Sequence, residues 1–398
     1  MKKRYLLVGS LAFSLLLSRA QNETSNSFKV NETEVELVYS HYLQDGDNSA
    51  VTGGEGTERL TVYGPSFSLK RSFGNNVIDF QLGADIISSA STDNIDFVVS
   101  SASRLDARSY TNINYSRVFE KSKLSINGGI GFSLESDYFS FGKFLGATKT
   151  SEDDMQTFSA QLQIFNDDLR WGRLQGDGPH QLIYPIELRF QEWYDDYHRN
   201  SYNLNLGYTR IIDQRNIIGL FSAISLQEGL LATPFHRVLF NDGTRAVEQL
   251  PSERYKGTVA VKWNKFIRGN IITKSTVNSY VDNFGVVGIS LDNETAIKLN
   301  AKWTLVPSFR FYTQQASKYF SPIRTHSPNS EFYTSDFDLS KFNTFKVGLG
   351  WNHSPYGQKN GSLNAFTMRY FYYHRSNGLS AHSLSISLQF KKNRNKAP

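Results

Sequence analysis

Cysteine is missing from all 398 residues. Disulfide staples, thiolate metal sites and a lipid-modified N-terminal cysteine are thereby excluded, and cysteine usage is silent on the redox compartment. Long hydrophobic runs are missing too: after residue 20 no stretch approaches the roughly 20 apolar residues that a spanning helix needs. So is a basic footprint. The formal charge of +6 falls to +2 without the four basic residues of positions 1–20, and to −2 without Lys391, Lys392, Arg394 and Lys396. A chain so balanced offers no electrostatic surface for nucleic acid. Aromatic residues, in contrast, make up 14% of the chain beside 20% charged ones. Rings facing lipid around an ionisable interior produce that mixture.

Residues 1–20 read as a secretory signal peptide. Lys2, Lys3 and Arg4 form its charged region, Tyr5 to Leu17 its apolar region, and Ser18-Arg19-Ala20 a small-x-small cleavage site. Residues 21–32 then form a periplasmic lead, 33–390 the folded body and 391–398 a basic tail.

The body alternates apolar and polar residues with the period of a strand that has one face in oil and one in water. The last complete segment is typical: Leu384, Ile386, Leu388 and Phe390 are separated by Ser385, Ser387 and Gln389. Sixteen such segments are expected, at 35–43, 58–73, 77–88, 107–119, 124–137, 155–166, 181–193, 200–212, 217–229, 254–266, 271–282, 286–299, 302–315, 340–351, 363–375 and 380–390. Short polar turns at 74–76, 120–123, 213–216, 267–270 and 300–301 alternate with longer connections such as 44–57, 89–106, 138–154, 230–253 and 316–339. Outer-membrane barrels have short periplasmic turns and longer outer loops. The expectation is therefore an all-β, antiparallel transmembrane barrel of 16 strands, give or take two. A soluble β-sandwich also alternates, but it would leave Trp263, Trp351, Tyr370 and Tyr372 as a large exposed apolar surface.

Parity places Asp79, Asp85, Glu135 and Asp137 on one interior arc and Arg189, Arg310, Lys346, Arg369 and Arg375 on others. These are the candidate lumen-lining residues; they can set a transverse field or simply brace and solvate the wall. The segment 88–106 repeats Ser-Ser-Ala-Ser at 88–91 and 100–103, a composition suited to side-chain-bonded turns, in a constriction, a cap or an ordinary surface loop. Val51 to Thr57 is glycine-rich without the lysine of a phosphate cradle, and reads as a turn allowing close backbone approach. Asp45-Gly46-Asp47-Asn48 and Asp336 with Asp338 lack a full set of Ca²⁺ ligands, so no metal or cofactor is expected. His198, beside Asp195 and Asp196, and His236, after Pro234-Phe235, are the histidines of a conceivable outer-rim hydrolase, with no nucleophile motif beside them.

Spaced motifs add a resemblance. Gly53-Gly54 with Gly56-Thr57-Glu58, Ser100 to Arg104 with Asp106 and Arg108, Glu135-Ser136-Asp137-Tyr138, Gly229-Leu230-Leu231 to Arg237, Leu250-Pro251 with Arg254, Arg310 to Gln314, and Ser335-Asp336-Phe337-Asp338 together resemble an uncharacterised family of Gram-negative outer-membrane β-barrel proteins, a domain of unknown function. The resemblance implies localisation in the cell outer membrane, contact with outer-membrane lipid, and assembly by the barrel-assembly machinery, which would read the strand carrying Leu384, Ile386, Leu388 and Phe390. It also implies an envelope system with a small lipoprotein partner. Three functions stay open: a channel or export conduit with a charged lumen, a loop-plugged scaffold or binding barrel for the lipoprotein, and the outer-rim hydrolase. A non-enzymatic barrel is the leading expectation.

Overall fold

Strands of 11 to 16 residues join in a single closed antiparallel ring. The computed structural model describes residues 31–89, 105–135, 138–169, 197–233, 236–355 and 361–393. In chain order the strands are β1 (Glu32–Asp45), β2 (Leu60–Phe73), β3 (Asn76–Ser89), β4 (Leu105–Phe119), β5 (Leu124–Leu134), β6 (Phe139–Thr150), β7 (Gln156–Asp168), β8 (His198–Asp213), β9 (Asn216–Gly229), β12 (Glu253–Arg268), β13 (Ile271–Asp282), β14 (Val287–Lys298), β15 (Trp303–Gln314), β16 (Phe342–His353), β17 (Leu363–Arg375) and β18 (Ser380–Asn393). The short strands β10 (Arg237–Leu239) and β11 (Arg245–Val247) form a separate hairpin in the connection after β9. All sixteen wall strands follow chain order around the ring. The seam is β1 against β18, in register from Glu32 opposite Asn393 to Asp45 opposite Ser380.

Ring closure follows from the chemistry of the wall. An unpaired N–H or C=O facing hydrocarbon costs several kcal/mol, so a sheet can cross a membrane only without edges. The outward face is the apolar one. Leu82, Ile113, Ile130, Leu162, Leu220 and Leu349 all expose their side chains. Trp263, Trp351 and Tyr370 lie on the same outward face, and Trp303 meets Trp351 edge-on at 5.4 Å. Inward positions carry serine, asparagine, glutamine and ionisable groups.

Sixteen is the expected number, but two strand assignments change. Residues 139–150, expected within an outer loop, form β6, paired along its length with β5 and β7. Its alternation is disguised. Lys143 sits on the outward face opposite Ile130 and Ile164, while Phe144 turns inward and lies on Gly129. The expected strand 181–193 lies outside the described residues; β7 pairs directly with β8, closing the ring between them. As a result 156–168 runs from the inner to the outer side, the reverse of the expected direction. The final strand also runs three residues past Phe390, where Lys391 pairs with Glu32 at 2.5 Å and Glu34 at 3.4 Å. That part of the basic tail is wall.

The two faces of β3 offer a direct test. Arginine at a lipid-facing midplane position costs about 2–4 kcal/mol. Leu82→Arg should lose about that much in urea-induced unfolding from liposomes, whereas Gln81→Arg, one residue away and facing the lumen, should stay within about 0.5 kcal/mol of the parent.

Candidate functional site: the lumen and its outer cap

Four partly or fully buried arginines ring the outer rim, one in each quadrant of the barrel. On β4, Arg108 donates from Nε to Ser133 Oγ at 2.8 Å and lies 3.6 Å from Asp85 and 4.0 Å from Glu135. On β8, Arg199 donates to Asp167 at 2.8 Å. Arg254 on β12 donates to Asp282 at 2.9 Å, and Arg375 on β17 to Asp338 at 2.6 Å. Each guanidinium also covers an aromatic ring: Tyr110, Tyr138, Phe284 and Phe342 respectively, at 4.3 to 5.8 Å. Charges removed from water persist only where paired and hydrogen-bonded. Planar arginine meets a carboxylate at its edge and a ring at its face, as lysine cannot.

On the arc from β12 to β1, tyrosines brace this rim from below. Tyr42, Tyr280 and Tyr312 each donate to the inward residue two places closer to the mouth, namely Gln44, Asp282 and Gln314, at 2.7 to 2.9 Å. Tyr373 accepts from Arg375 at 3.3 Å. The braced residues in turn hold the loops: Gln314 donates to the carbonyls of Asp338 and Ser340, and Gln44 to that of Glu58.

Three outer connections meet above the lumen. Residues 46–59 join β1 to β2, and 230–252 join β9 to β12, eight strands away in either direction around the ring. They nevertheless touch: a Cβ on Gly53 would stand 2.9 Å from Leu239, and one on Gly54 2.9 Å from Phe337. Both glycines hold positive φ, +83° and +97°, which L side chains rarely adopt. The glycine-rich turn is thus a close-approach device. The third connection, 315–341, bridges to the other long loop through Phe240 with His326 and Gln249 with Tyr333. Opposite ends of a diameter can meet only by crossing the mouth. Among the described residues, the outer mouth is capped.

A buried polar clasp locks the cap. Glu248 accepts from the backbone N–H of Thr233 at 2.6 Å and from Thr334 Oγ1 at 2.5 Å, and lies 3.4 Å from His236 Nδ1. Asp336 is 3.6 Å from the same nitrogen. Ligand atoms of His236, Glu248 and Asp336 lie within 4.8 Å of one another, near enough for one cation. Both Glu248 oxygens already have protein donors, so the arrangement is satisfied as a hydrogen-bonded clasp. No sequence spacing announced it, because its members come from loops some 90 residues apart. Burial pushes the Glu248 carboxyl up, but the charge of His236 and the hydrogen bonds from His236, Thr334 and Thr233 outweigh it and hold the group below its ordinary value.

The expected lumen residues divide between these two layers. Asp85, Glu135 and Arg375 are rim groups, almost fully buried. Asp79, Arg310, Lys346 and Arg369 face the open interior below. Asp79 accepts from Asn114 at 3.5 Å, Arg310 is 3.4 Å from Asp292, and Lys346 lies 5.0 Å over Phe371. Arg369 is 3.4 Å from Glu294. Asp137, Arg189 and the repeat at 90–104 lie outside the described residues. Of the hydrolase pair, His236 is buried in the cap, and the ring of His198 packs at a tilt against Tyr197 at 4.7 Å. Of the oxygens offered for Ca²⁺, Asp45 holds Arg59 and Asp336 accepts from the N–H of Asp338. Sequence reasoning missed the bracing tyrosines, since rings were assigned to the lipid face; their polar neighbour two residues on was the available signal.

These features define a sixteen-stranded transmembrane β-barrel of the outer-membrane type. Residues 100–385 match the family described as "Protein of unknown function (DUF3570)", and the chain belongs to that family. No curated protein matches it. Among solved structures it resembles "Bacterial polysaccharide outer membrane secretin", at 8% identity and TM-score 0.48, over 92% of this chain and 99% of that one. It also resembles the "BenF-like porin from Pseudomonas fluorescens Pf-5" at 9% identity and TM-score 0.43, over 92% and 100%. The "TodX deltaS2S3 mutant monoaromatic hydrocarbon channel" gives 9% and 0.43, over 92% and 91%. Likeness at this level is silent about solutes, gating and partners.

Two outcomes follow for the cap. A carboxyl depressed by folding stabilises fully above its unfolded value, near 4.5, and that contribution is lost as pH falls through the folded value. A nitroxide label at Asn241→Cys should therefore give a constant, immobilised spectrum above about pH 4.5 and mobilise below it, while the same label with Glu248→Gln should be mobile throughout. Gly54→Ala, strained at positive φ and pressed on Phe337, should cost about 1–3 kcal/mol and mobilise the same label without changing the heat-modifiable gel shift of the barrel.

Proposed function

We propose that this chain is an outer-membrane channel or export conduit whose watery lumen is closed on the outer side by its own loops. One contrast carries the reading. Paired rim and clasp charges keep no more than 23% of their side-chain surface exposed, whereas the paired wall charges below them keep 30 to 49% although they point inward. Sixteen-stranded barrels are wide enough to hold an aqueous channel unless loops fill them. A wetted, charged interior beneath a sealed cap is what a gated conduit needs.

The interlocked cap also favours a second reading, a plugged scaffold that binds a small lipoprotein at its periplasmic mouth. In either case the protein resides in the outer membrane of a Gram-negative cell, and the barrel-assembly machinery recognises β18.

Planar bilayers separate the two. Intact protein should give little or no unitary conductance. Replacing residues 236–249 by a short Gly-Ser linker, which removes Glu248, His236 and the β10–β11 hairpin, should give stable ohmic steps. A linker variant that still migrates as a folded barrel but stays silent would reject the channel and leave the scaffold.

A further inference from the structure

Charge is distributed unevenly around the inner wall below the rim. On the arc from β12 to β17, register places Lys262, Lys274, Arg310, Lys346 and Arg369 inward. The acids on that arc are Asp292 and Glu294 alone among the described inward residues below the rim, so cations exceed acids by three. Along β3 to β9 the described inward residues at the same depth are mainly serine, asparagine, glutamine and glycine, and Asp79 is the charged one. The cations form a slanted ladder. Lys274 lies near the inner end of its strand, Arg369 in the middle of β17, and Arg310 and Lys346 are direct register partners closer to the mouth.

Stability does not explain that excess. The ladder's ion pairs are 3.4 to 3.5 Å long and partly solvated, a class that contributes little to folding. An array of like charge in a cleft with low-dielectric walls instead concentrates counter-ions and steers them. From this we infer that the β12–β17 face of the lumen is a pathway for anionic solutes, with carboxylate, phosphate or sulfonate groups handed along the cations. The inference deepens the channel reading and rests on it for transport, but the field itself is present whether or not the barrel conducts.

The cysteine-free chain makes that field measurable. Ser385→Cys sits directly opposite Arg369 on the neighbouring strand; Gln163→Cys sits inward on β7, on the neutral arc. Each full-length variant, in detergent at low salt, is reacted with a negatively charged (sulfonatoethyl) and a positively charged (trimethylammonioethyl) methanethiosulfonate. The anionic-to-cationic rate ratio, referenced to a free thiol, should be roughly tenfold higher at Ser385→Cys than at Gln163→Cys, the low end for charge-lined clefts. It should shrink once the Debye length falls well below the lumen radius in 1 M salt. Adding Lys262→Gln, Lys346→Gln and Arg369→Gln should abolish the difference. Equal ratios at the two sites, or a cationic preference at Ser385→Cys, would overturn the inference. In bilayers, the linker variant described above should pass anions in preference to cations. Conductance without that preference defeats the anion pathway alone, whereas silence defeats the channel reading and leaves the reagent ratios to judge the field.

Discussion

A strand edge left open in hydrocarbon would strand a row of N–H and C=O groups, and the seam between β1 and β18 is where this chain avoids it. Fourteen consecutive residue pairs from Glu32 to Asp45 close the ring, finished at the inner end by Lys391 against Glu32 and Glu34. Everything else depends on that closure. It makes one face of every strand lipid and the other lumen, and gives each inward side chain a neighbour on both sides.

From the ring upward, the outer half is built for rigidity. The four arginine–carboxylate–aromatic groups sit where the wall meets the loops, each pairing a largely desolvated charge with its opposite. Tyrosines beneath the rim point their hydroxyls at the residues that hold the loops. The cap then spans the mouth because glycines at 53 and 54 let the 46–59 backbone approach Leu239 and Phe337. His236, Glu248 and Asp336 bind two of its three segments together. Below this, packing gives way to solvated charge, and the wall becomes electrically lopsided. A stiff lid above a cation-rich wall is the physical basis of the proposed gated anion pathway.

Much of the wall could be read from period alone. Alternation located fifteen of the sixteen strands within a few residues and, where it is clearest, as in β3, β5 and β15, the face turned to lipid, because a two-faced wall imposes the same period everywhere. It failed at β6, where Lys143 and Phe144 exchange the usual polarity, Phe144 finding room over Gly129. It admitted 181–193 because alternation is necessary for a barrel strand and not sufficient. Connection lengths could not correct either assignment, since one strand missed and one added keep the count even.

Site residues were legible by type but not by depth. Parity puts Asp85 and Arg369 on the same inward face, yet one is locked at the rim and the other faces water; height and register separate them, and both depend on how neighbouring strands slide. Residue order dictated an edgeless, oil-coated ring, because period-two patterning is a local property of each strand. Only the tertiary structure decided that loops eight strands apart would meet across the mouth, that a clasp would form from residues some 90 positions apart, and that cations from five strands would share one wall. Those contacts arise from the ring's curvature, which brings together what no local spacing encodes.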